Sequence, residues 1–208
     1  MIVNSRYQFV FLHIPKTAGT SMQSALRNFD GNETTLTSRF TKHETYLQLL
    51  SNLRWRLILR NSSAFLRSKK RITMDEIENY TCIAVSRHPV SRFVSLYGYL
   101  KTINHASASA YNNINSFFDD WVAGKMKDDL YSLRPQSDFI QGVKRNNLEI
   151  VKYENLSDAV IIYTGGGELN ILLGRENTSR AQYRSVLTPR NERYVEEIYK
   201  VDMELFGY

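Results

Sequence analysis

Three runs of strand length, of which the first is nearly continuous in apolar residues, place the strongest limit on the fold of this chain. They cover Tyr7–Ile14, Tyr80–Ser86 and Leu148–Tyr153, and helical patterns lie between them. Continuous apolar runs are typical of parallel strands that are buried on both faces. Strands that alternate with helices favour a parallel sheet flanked by helices. We therefore expect an α/β fold, a single domain over residues 1–208, and a ligand site at the carboxyl ends of the strands.

Apolar residues at helical spacing predict helices in five places. We expect one helix after Thr20, one that opens at Thr73, one that begins with Pro89, one capped by Asn155 or Ser157, and one that begins with Pro189. Gly165–Gly167 is expected to end the fourth helix, because glycine weakens a helix interior. The last helix is expected to extend to Leu205.

Composition excludes several classes of protein. The chain has a single cysteine, Cys82, and no Cys/His cluster with the spacing of zinc ligands. No run approaches the ~20 apolar residues that span a bilayer. The first residues lack the basic start and apolar core of a signal peptide. We therefore expect a cytoplasmic protein with no membrane span, no disulfide framework and no bound metal.

Positive charge is concentrated between Thr45 and Met74. This window holds seven basic residues and no acidic one, so it accounts for the whole net charge of +6. The basic residues are Arg54, Arg56, Arg60, Arg67, Lys69, Lys70 and Arg71. Such a window indicates either an anionic partner or a solvated face.

The segment Ile14–Ser21 lies between the first apolar run and the first helix. Backbone amides of such a turn converge on an anion, and the helix N-terminus adds positive potential. Lys16 supplies a charge, and hydroxyls come from Thr17, Thr20 and Ser21. This segment differs from the phosphate loop of nucleoside triphosphatases, in which the lysine directly follows the second glycine. Here Lys16 precedes Gly19. The alternative is an ordinary turn with Thr and Ser caps.

A second candidate anion site follows the second apolar run. Arg87 comes at the end of this strand, and Ser95 lies two turns into the next helix. A guanidinium and a hydroxyl at one strand end can bind a second phosphate. Taken alone, the pair is equally compatible with a surface arginine and a helical serine.

Together these two segments resemble the sulfotransferases that use 3′-phosphoadenosine-5′-phosphosulfate (PAPS). Pro15–Ser21 is similar to the family's 5′-phosphosulfate loop, and Arg87 with Ser95 is similar to its 3′-phosphate motif. The most similar branch modifies carbohydrates and includes heparan 2-O- and chondroitin sulfotransferases. Further similar segments are Pro135–Phe139, Tyr153–Leu156 and Asp202–Tyr208.

The resemblance implies an enzyme that moves a sulfuryl group from PAPS to an acceptor hydroxyl, on a carbohydrate that can itself be anionic. Lys16 is expected to hold the leaving phosphate oxygen, and no metal is required. The residues expected to bind the nucleotide are Lys16, Thr17, Ala18, Gly19, Thr20, Ser21, Arg87, Ser95, Tyr153 and Arg180.

A general base must also take the proton of the acceptor hydroxyl. His43 follows the first helix, where the enzymes that this chain resembles often carry their base, so we expect His43 to be catalytic. Glu44 and His13 are the alternatives. The assignment requires that the chain after the helix returns to the strand ends. We expect His88 to shape a turn and His105 to lie in a loop.

Two other functions remain open from the residues alone. A nucleotide kinase-like P-loop enzyme would share the architecture, but the chain has no Gly-Lys-Ser/Thr. A basic nucleic-acid-binding module would use the positive window, which carries only three aromatic residues, Tyr46, Trp55 and Phe65. We expect no nucleic-acid partner.

Overall fold

The computed structural model describes residues 2–27, 29, 43–58, 73–126, 130–156, 159–173 and 186–208. In chain order the elements are β1 (Ile2–Asn4), β2 (Phe9–Leu12), α1 (Gly19–Arg27), α2 (Tyr46–Ile58), α3 (Met74–Glu78), β3 (Thr81–Ser86), α4 (Pro89–Thr102), α5 (Ala106–Ser109), α6 (Ile114–Val122), α7 (Gln136–Ile140), β4 (Leu148–Lys152), β5 (Ala159–Thr164), β6 (Gly167–Leu172), α8 (Pro189–Ile198) and α9 (Lys200–Phe206).

The chain folds into two compact units. The first, here called the sheet unit, comprises Met1–Ser86 and Gln136–Glu176, and the second, the helical unit, comprises Arg87–Pro135 and Asn177–Tyr208. Because each unit is formed from two separate stretches of sequence, neither is complete until the chain has crossed between them. The expectation of a single domain over residues 1–208 stays a prediction.

A four-stranded, mostly parallel sheet is the centre of the sheet unit, as the apolar runs predict. The strand order is β1-β2-β3-β4, and β2, β3 and β4 are parallel. All four residues of β2 are buried, as expected for a strand covered on both faces. The sequence did not predict β1, which pairs antiparallel with β2. Its three residues are too few to show a periodic pattern.

One face of this sheet is covered by α1 and by a hairpin of β5 and β6. Side chains of all these elements form one buried apolar cluster. Its fully or nearly fully buried members are Ile2, Phe9, Phe11, Met22, Ala25, Leu26, Ile83, Val85, Ile162, Leu169 and Ile171. The packing of α1 on the sheet fixes the direction in which the preceding loop leaves β2.

The hairpin replaces the helix that we expected after Asn155 or Ser157, so that prediction is wrong. β5 and β6 are antiparallel, and Gly165 and Gly166 form the turn between them. The alternation of buried and exposed residues, with Ile162 buried between two exposed neighbours, has the period of a strand. A side chain on Gly166 would overlap the backbone of the segment before β2, so this glycine is required by close packing and does not end a helix.

The helical unit packs α4, α6 and α8 around an aromatic core. Phe93, Tyr97, Phe117 and Phe118 are each at most 2% exposed. The predicted apolar face of α4 is confirmed, since it contributes Phe93 and Tyr97 to this core. The last helix, expected from Pro189 to Leu205, is divided at Tyr199 into α8 and α9. Within the described part of the chain, no helix has the length and apolar character needed to cross a membrane.

Candidate active site

The three parallel strands of the sheet unit end at one edge. β3 runs parallel to both of its neighbours, β2 and β4. Near the ends of these strands, Leu12 pairs with Ala84 and Ser86 pairs with Lys152. The residues that directly follow β2, β3 and β4 are His13, Arg87 and Tyr153. The carboxyl edge of a parallel sheet is where α/β proteins bind their ligands. Three of the segments with predicted site residues, those of Lys16, Arg87 and Tyr153, thus begin at the end of a strand.

The loop between β2 and α1 has an unusual backbone. Lys16 and Ala18 both have a φ of 65°, in the left-handed region that favours glycine. Turns of this kind bring successive N–H groups to one side, where they form a concavity for an anion. The N-terminus of α1 follows directly at Gly19 and adds the positive potential of its first turn. The half-buried Lys16 places a positive charge in the same loop.

Thr17 stabilises this loop from inside. Its side chain is fully buried, and its hydroxyl donates a hydrogen bond of 3.0 Å to the carbonyl oxygen of Ile14. A hydroxyl has one proton to donate, so here that proton holds the loop. Of the other predicted hydroxyl donors, Thr20 is exposed and Ser21 is half-buried.

His13 lies behind the loop, where it contacts both the start of α1 and His43. Its side chain is only 3% exposed. A Cβ atom on Gly19 would overlap the His13 imidazole, so the ring occupies the space that this glycine leaves open. The His13 and His43 ring centroids are 4.5 Å apart at an interplanar angle of 75°. Thus His43 does lie beside the end of β2, as its predicted role requires.

The hydrogen bond of His43 determines where its proton lies in the neutral ring. Nδ1 is 3.1 Å from the backbone carbonyl oxygen of His13. A carbonyl oxygen can only accept, so Nδ1 carries the hydrogen and donates it. In this tautomer of the neutral imidazole, the free lone pair of the ring plane is on Nε2. Nε2 is therefore the nitrogen that can accept a proton.

The two alternative bases are less accessible. Glu44 is 3% exposed, and its Oε1 accepts a hydrogen bond of 3.0 Å from Nδ2 of Asn52, on α2. His13 is equally buried. His43 is half-buried, so of these three side chains it has the best access to solvent and to an acceptor. Sequence reasoning did not find Asn52, because a polar residue in a helix gives no sign of its partner.

Arg87 and Ser95 belong to the helical unit and are both half-buried. The turn between β3 and α4 is shaped by His88, as predicted. His88 is the N-cap of α4, and its Nδ1 accepts a hydrogen bond of 3.3 Å from the backbone N–H of Val90. The Tyr208 ring stands edge-on against His88, with centroids 5.4 Å apart. Pro89 takes the first helical position, where its missing N–H has no cost.

Several predicted residues have other placements. Tyr153 begins a short 3₁₀ helix after β4 and is 37% exposed. His105, expected in a loop, is the N-cap of α5. Arg180 and the basic residues Lys69–Arg71 lie outside the described residues. Among the residues that the structure describes, no group of three or more His, Cys, Asp or Glu side chains could hold a metal ion.

Two buried groups outside the candidate site, Cys82 and Tyr199, have raised pKa values. Burial raises the pKa of the Cys82 thiol, in β3, to about 12. Burial also raises the pKa of Tyr199 to about 12, and Tyr199 donates a hydrogen bond to the carbonyl oxygen of Leu133. Both groups are neutral near pH 7 and contribute to packing.

Comparison with known proteins decides between the functions that the residues leave open. A protein-family model described as "Sulfotransferase family" matches residues 1–208. The chain belongs to the sulfotransferase family. This family includes carbohydrate sulfotransferases, and its members catalyse sulfuryl transfer. The match covers both segments that carry the resemblance, the loop Pro15–Ser21 and the pair Arg87 and Ser95. No curated protein and no solved structure matches the chain.

Proposed function

We propose that this sulfotransferase moves a sulfuryl group from PAPS to a hydroxyl of a carbohydrate acceptor. The proposal is supported by the family match and by the anion-binding character of the loop before α1. The observation that carries it furthest is the hydrogen bond from His43 Nδ1 to the His13 carbonyl oxygen. In the neutral ring that bond leaves the lone pair on Nε2, the nitrogen that can accept a proton.

The loop would hold the 5′-phosphosulfate. Its backbone N–H groups and the N-terminus of α1 offer donors to the phosphate oxygens, including those of Thr17 to Ser21. Arg87 and Ser95 would bind the 3′-phosphate, and Tyr153 and Arg180 are further candidates for nucleotide contacts. For these four residues the support comes from the sequence motifs.

Two residues would carry the chemistry. His43 Nε2 takes the proton of the acceptor hydroxyl as the acceptor oxygen forms its bond to sulfur. The bond from sulfur to the bridging phosphate oxygen breaks at the same time, and its electron pair stays on the phosphate. The Lys16 ammonium stabilises the negative charge that develops on this oxygen. The products are a sulfated acceptor and 3′-phosphoadenosine-5′-phosphate (PAP).

The experiment combines a search for the acceptor with two variants. A panel of glycans and small alcohols is incubated with PAPS carrying radiolabelled sulfate, and transfer is measured. With the best acceptor, His43→Ala should lower kcat by about 10²–10⁴-fold, the usual loss when acid–base catalysis is removed. Its affinity for PAP, measured by calorimetry, should stay close to that of the wild type.

Lys16→Ala is the matched control, because it should weaken PAP binding and lower kcat together. A His43→Ala enzyme with near-normal kcat would rule out His43 as the base. A wild-type protein that neither binds PAP nor transfers label to any acceptor would contradict the proposed donor.

The basic residues Lys69, Lys70 and Arg71 remain candidates for holding an anionic acceptor. Replacing all three by Ala should then raise its KM.

A further inference from the structure

His13 makes two different contacts with His43. Its backbone carbonyl oxygen accepts the hydrogen bond from Nδ1, and its imidazole stands edge-on against the His43 ring, 4.5 Å away between centroids. The first contact fixes which nitrogen of His43 carries the proton. The second limits how the His43 ring can rotate. One residue therefore restrains both the proton and the orientation of the neighbouring imidazole.

His13 also contacts the loop that precedes α1. Its ring fills the space in which Gly19 would otherwise carry a Cβ atom. It follows β2 directly, is 3% exposed, and has the Phe11 ring 6.1 Å from its own. A ring held by the strand cannot yield easily to either neighbour. The positions of Gly19 and His43 are thus coupled through it.

We propose that His13 is a positioning residue. It holds His43 in the tautomer whose Nε2 carries the lone pair, and it fixes the position of the His43 ring relative to the loop between β2 and α1. The inference rests on the proposed function, in which His43 is the base. His13 does not itself exchange a proton with the substrate, because it is buried behind the loop. The alternative is that His13 only fills the core at the end of β2.

The first test measures the tautomer of His43 directly. Nitrogen-15 NMR of labelled histidine side chains, recorded near pH 8, above the usual histidine pKa of ~6.5, should show wild-type His43 protonated at Nδ1. The His43→Ala spectrum identifies its signals. His13→Ala and His13→Leu keep the backbone carbonyl but remove the imidazole that limits rotation of the His43 ring. The His43 ring can then turn away from the carbonyl, so we expect a mixture of Nδ1–H and Nε2–H forms. Ile83→Ala removes a fully buried side chain from the same sheet and should leave the tautomer unchanged.

The second test measures coupling between His13 and Gly19. Gly19→Ala pushes on the His13 ring, and a misplacement of about 1 Å can reduce a rate by about 10²-fold. We therefore expect Gly19→Ala to lower kcat by about 10- to 100-fold in the wild-type background. In the His13→Ala background the new methyl group enters the vacated space. There, adding Gly19→Ala should change kcat by less than about threefold, because the two sites are coupled.

The outcomes separate this inference from the proposed function. The positioning role is overturned if both His13 variants keep the wild-type tautomer of His43, the wild-type kcat and the wild-type pH profile of kcat. In that case a strongly impaired His43→Ala enzyme would still support His43 as the base. Additive losses in the Gly19 and His13 double variant would also overturn it. If His43→Ala itself keeps its kcat, the proposed base fails. Altered tautomers together with lowered kcat in the His13 variants, but not in Ile83→Ala, support the inference.

Discussion

The hydroxyl of Thr17 is expected to act on the loop and not on the nucleotide. It is fully buried and donates to the Ile14 carbonyl oxygen at 3.0 Å. The informative substitution is Thr17→Val, which keeps the shape and removes the hydroxyl. A typical net hydrogen bond contributes about 0.5–1.5 kcal/mol, and a buried carbonyl left without a donor costs about 1–3 kcal/mol. We expect Thr17→Val to lower the free energy of unfolding by about 1–3 kcal/mol.

The same substitution should weaken nucleotide binding, because the loop is strained. Lys16 and Ala18 have left-handed backbones, at a cost of about 1–2 kcal/mol each. This strain of about 2–4 kcal/mol is comparable with the stabilisation lost at Thr17. The loop can therefore relax once the hydrogen bond is gone, and its N–H groups no longer converge. We expect PAP affinity to fall by about tenfold, equivalent to about 1.4 kcal/mol.

The assay pairs urea unfolding with calorimetric titration of PAP, and Thr17→Ser is the matched control. Serine keeps the hydroxyl and loses one buried methyl group, worth about 0.8 kcal/mol of stability. Its PAP affinity should match the wild type. Wild-type stability together with weakened PAP binding in Thr17→Val would refute the reasoning, because the hydroxyl would then contact the nucleotide directly. Equal losses of affinity in the Ser and Val variants would refute it as well.

Two further predictions concern Arg87 and Cys82. Arg87→Ala should weaken PAP binding by about 10- to 150-fold, the equivalent of about 1.5–3 kcal/mol for a charge-assisted contact. It should weaken binding of adenosine 5′-phosphosulfate much less, because that nucleotide lacks a 3′-phosphate. Equal losses of affinity by calorimetry would contradict the assignment of Arg87 to the 3′-phosphate. Burial raises the pKa of Cys82 from 9.0 to about 12. As the pH rises, the thiol therefore loses its proton first in the unfolded state. The free energy of unfolding should fall between these two pKa values by up to about 1.4 kcal/mol per pH unit. Urea unfolding at pH 8 and pH 10 should show a smaller fall in Cys82→Ala, and an identical fall in both proteins would exclude this cause.

The parallel sheet could be predicted because its signal is local and strong. The runs before His13 and Arg87 are nearly continuous in apolar residues, the run before Tyr153 has apolar residues at Leu148, Ile150 and Val151, and each belongs to a strand of the sheet. A strand buried on both faces must be apolar at every position, so its sequence alone indicates its environment. The turn at His88 could be predicted for a similar reason, since Pro89 fixes the first residue of a helix.

Features that depend on distant partners could not be predicted. The helix expected after Asn155 is a hairpin. The apolar run around Ile162 is too short for its sequence alone to distinguish a strand from a helix. The Glu44–Asn52 hydrogen bond and the contact between His13 and Gly19 connect residues that show no pattern in sequence. The position of His43 followed from resemblance, while the tautomer of its ring required the coordinates.

The order of the strands has a consequence for the synthesis of the protein. β3 pairs with β4, but Arg87–Asn147 must emerge from the ribosome between them. At about 5–20 residues per second this takes roughly 3–12 seconds. During that time the edge of β3, whose core residues Ile83 and Val85 are apolar, has no strand beside it. An unpaired apolar strand edge is a template for aggregation. The nascent chain should therefore be most dependent on chaperones after β3 is made and before β4 arrives.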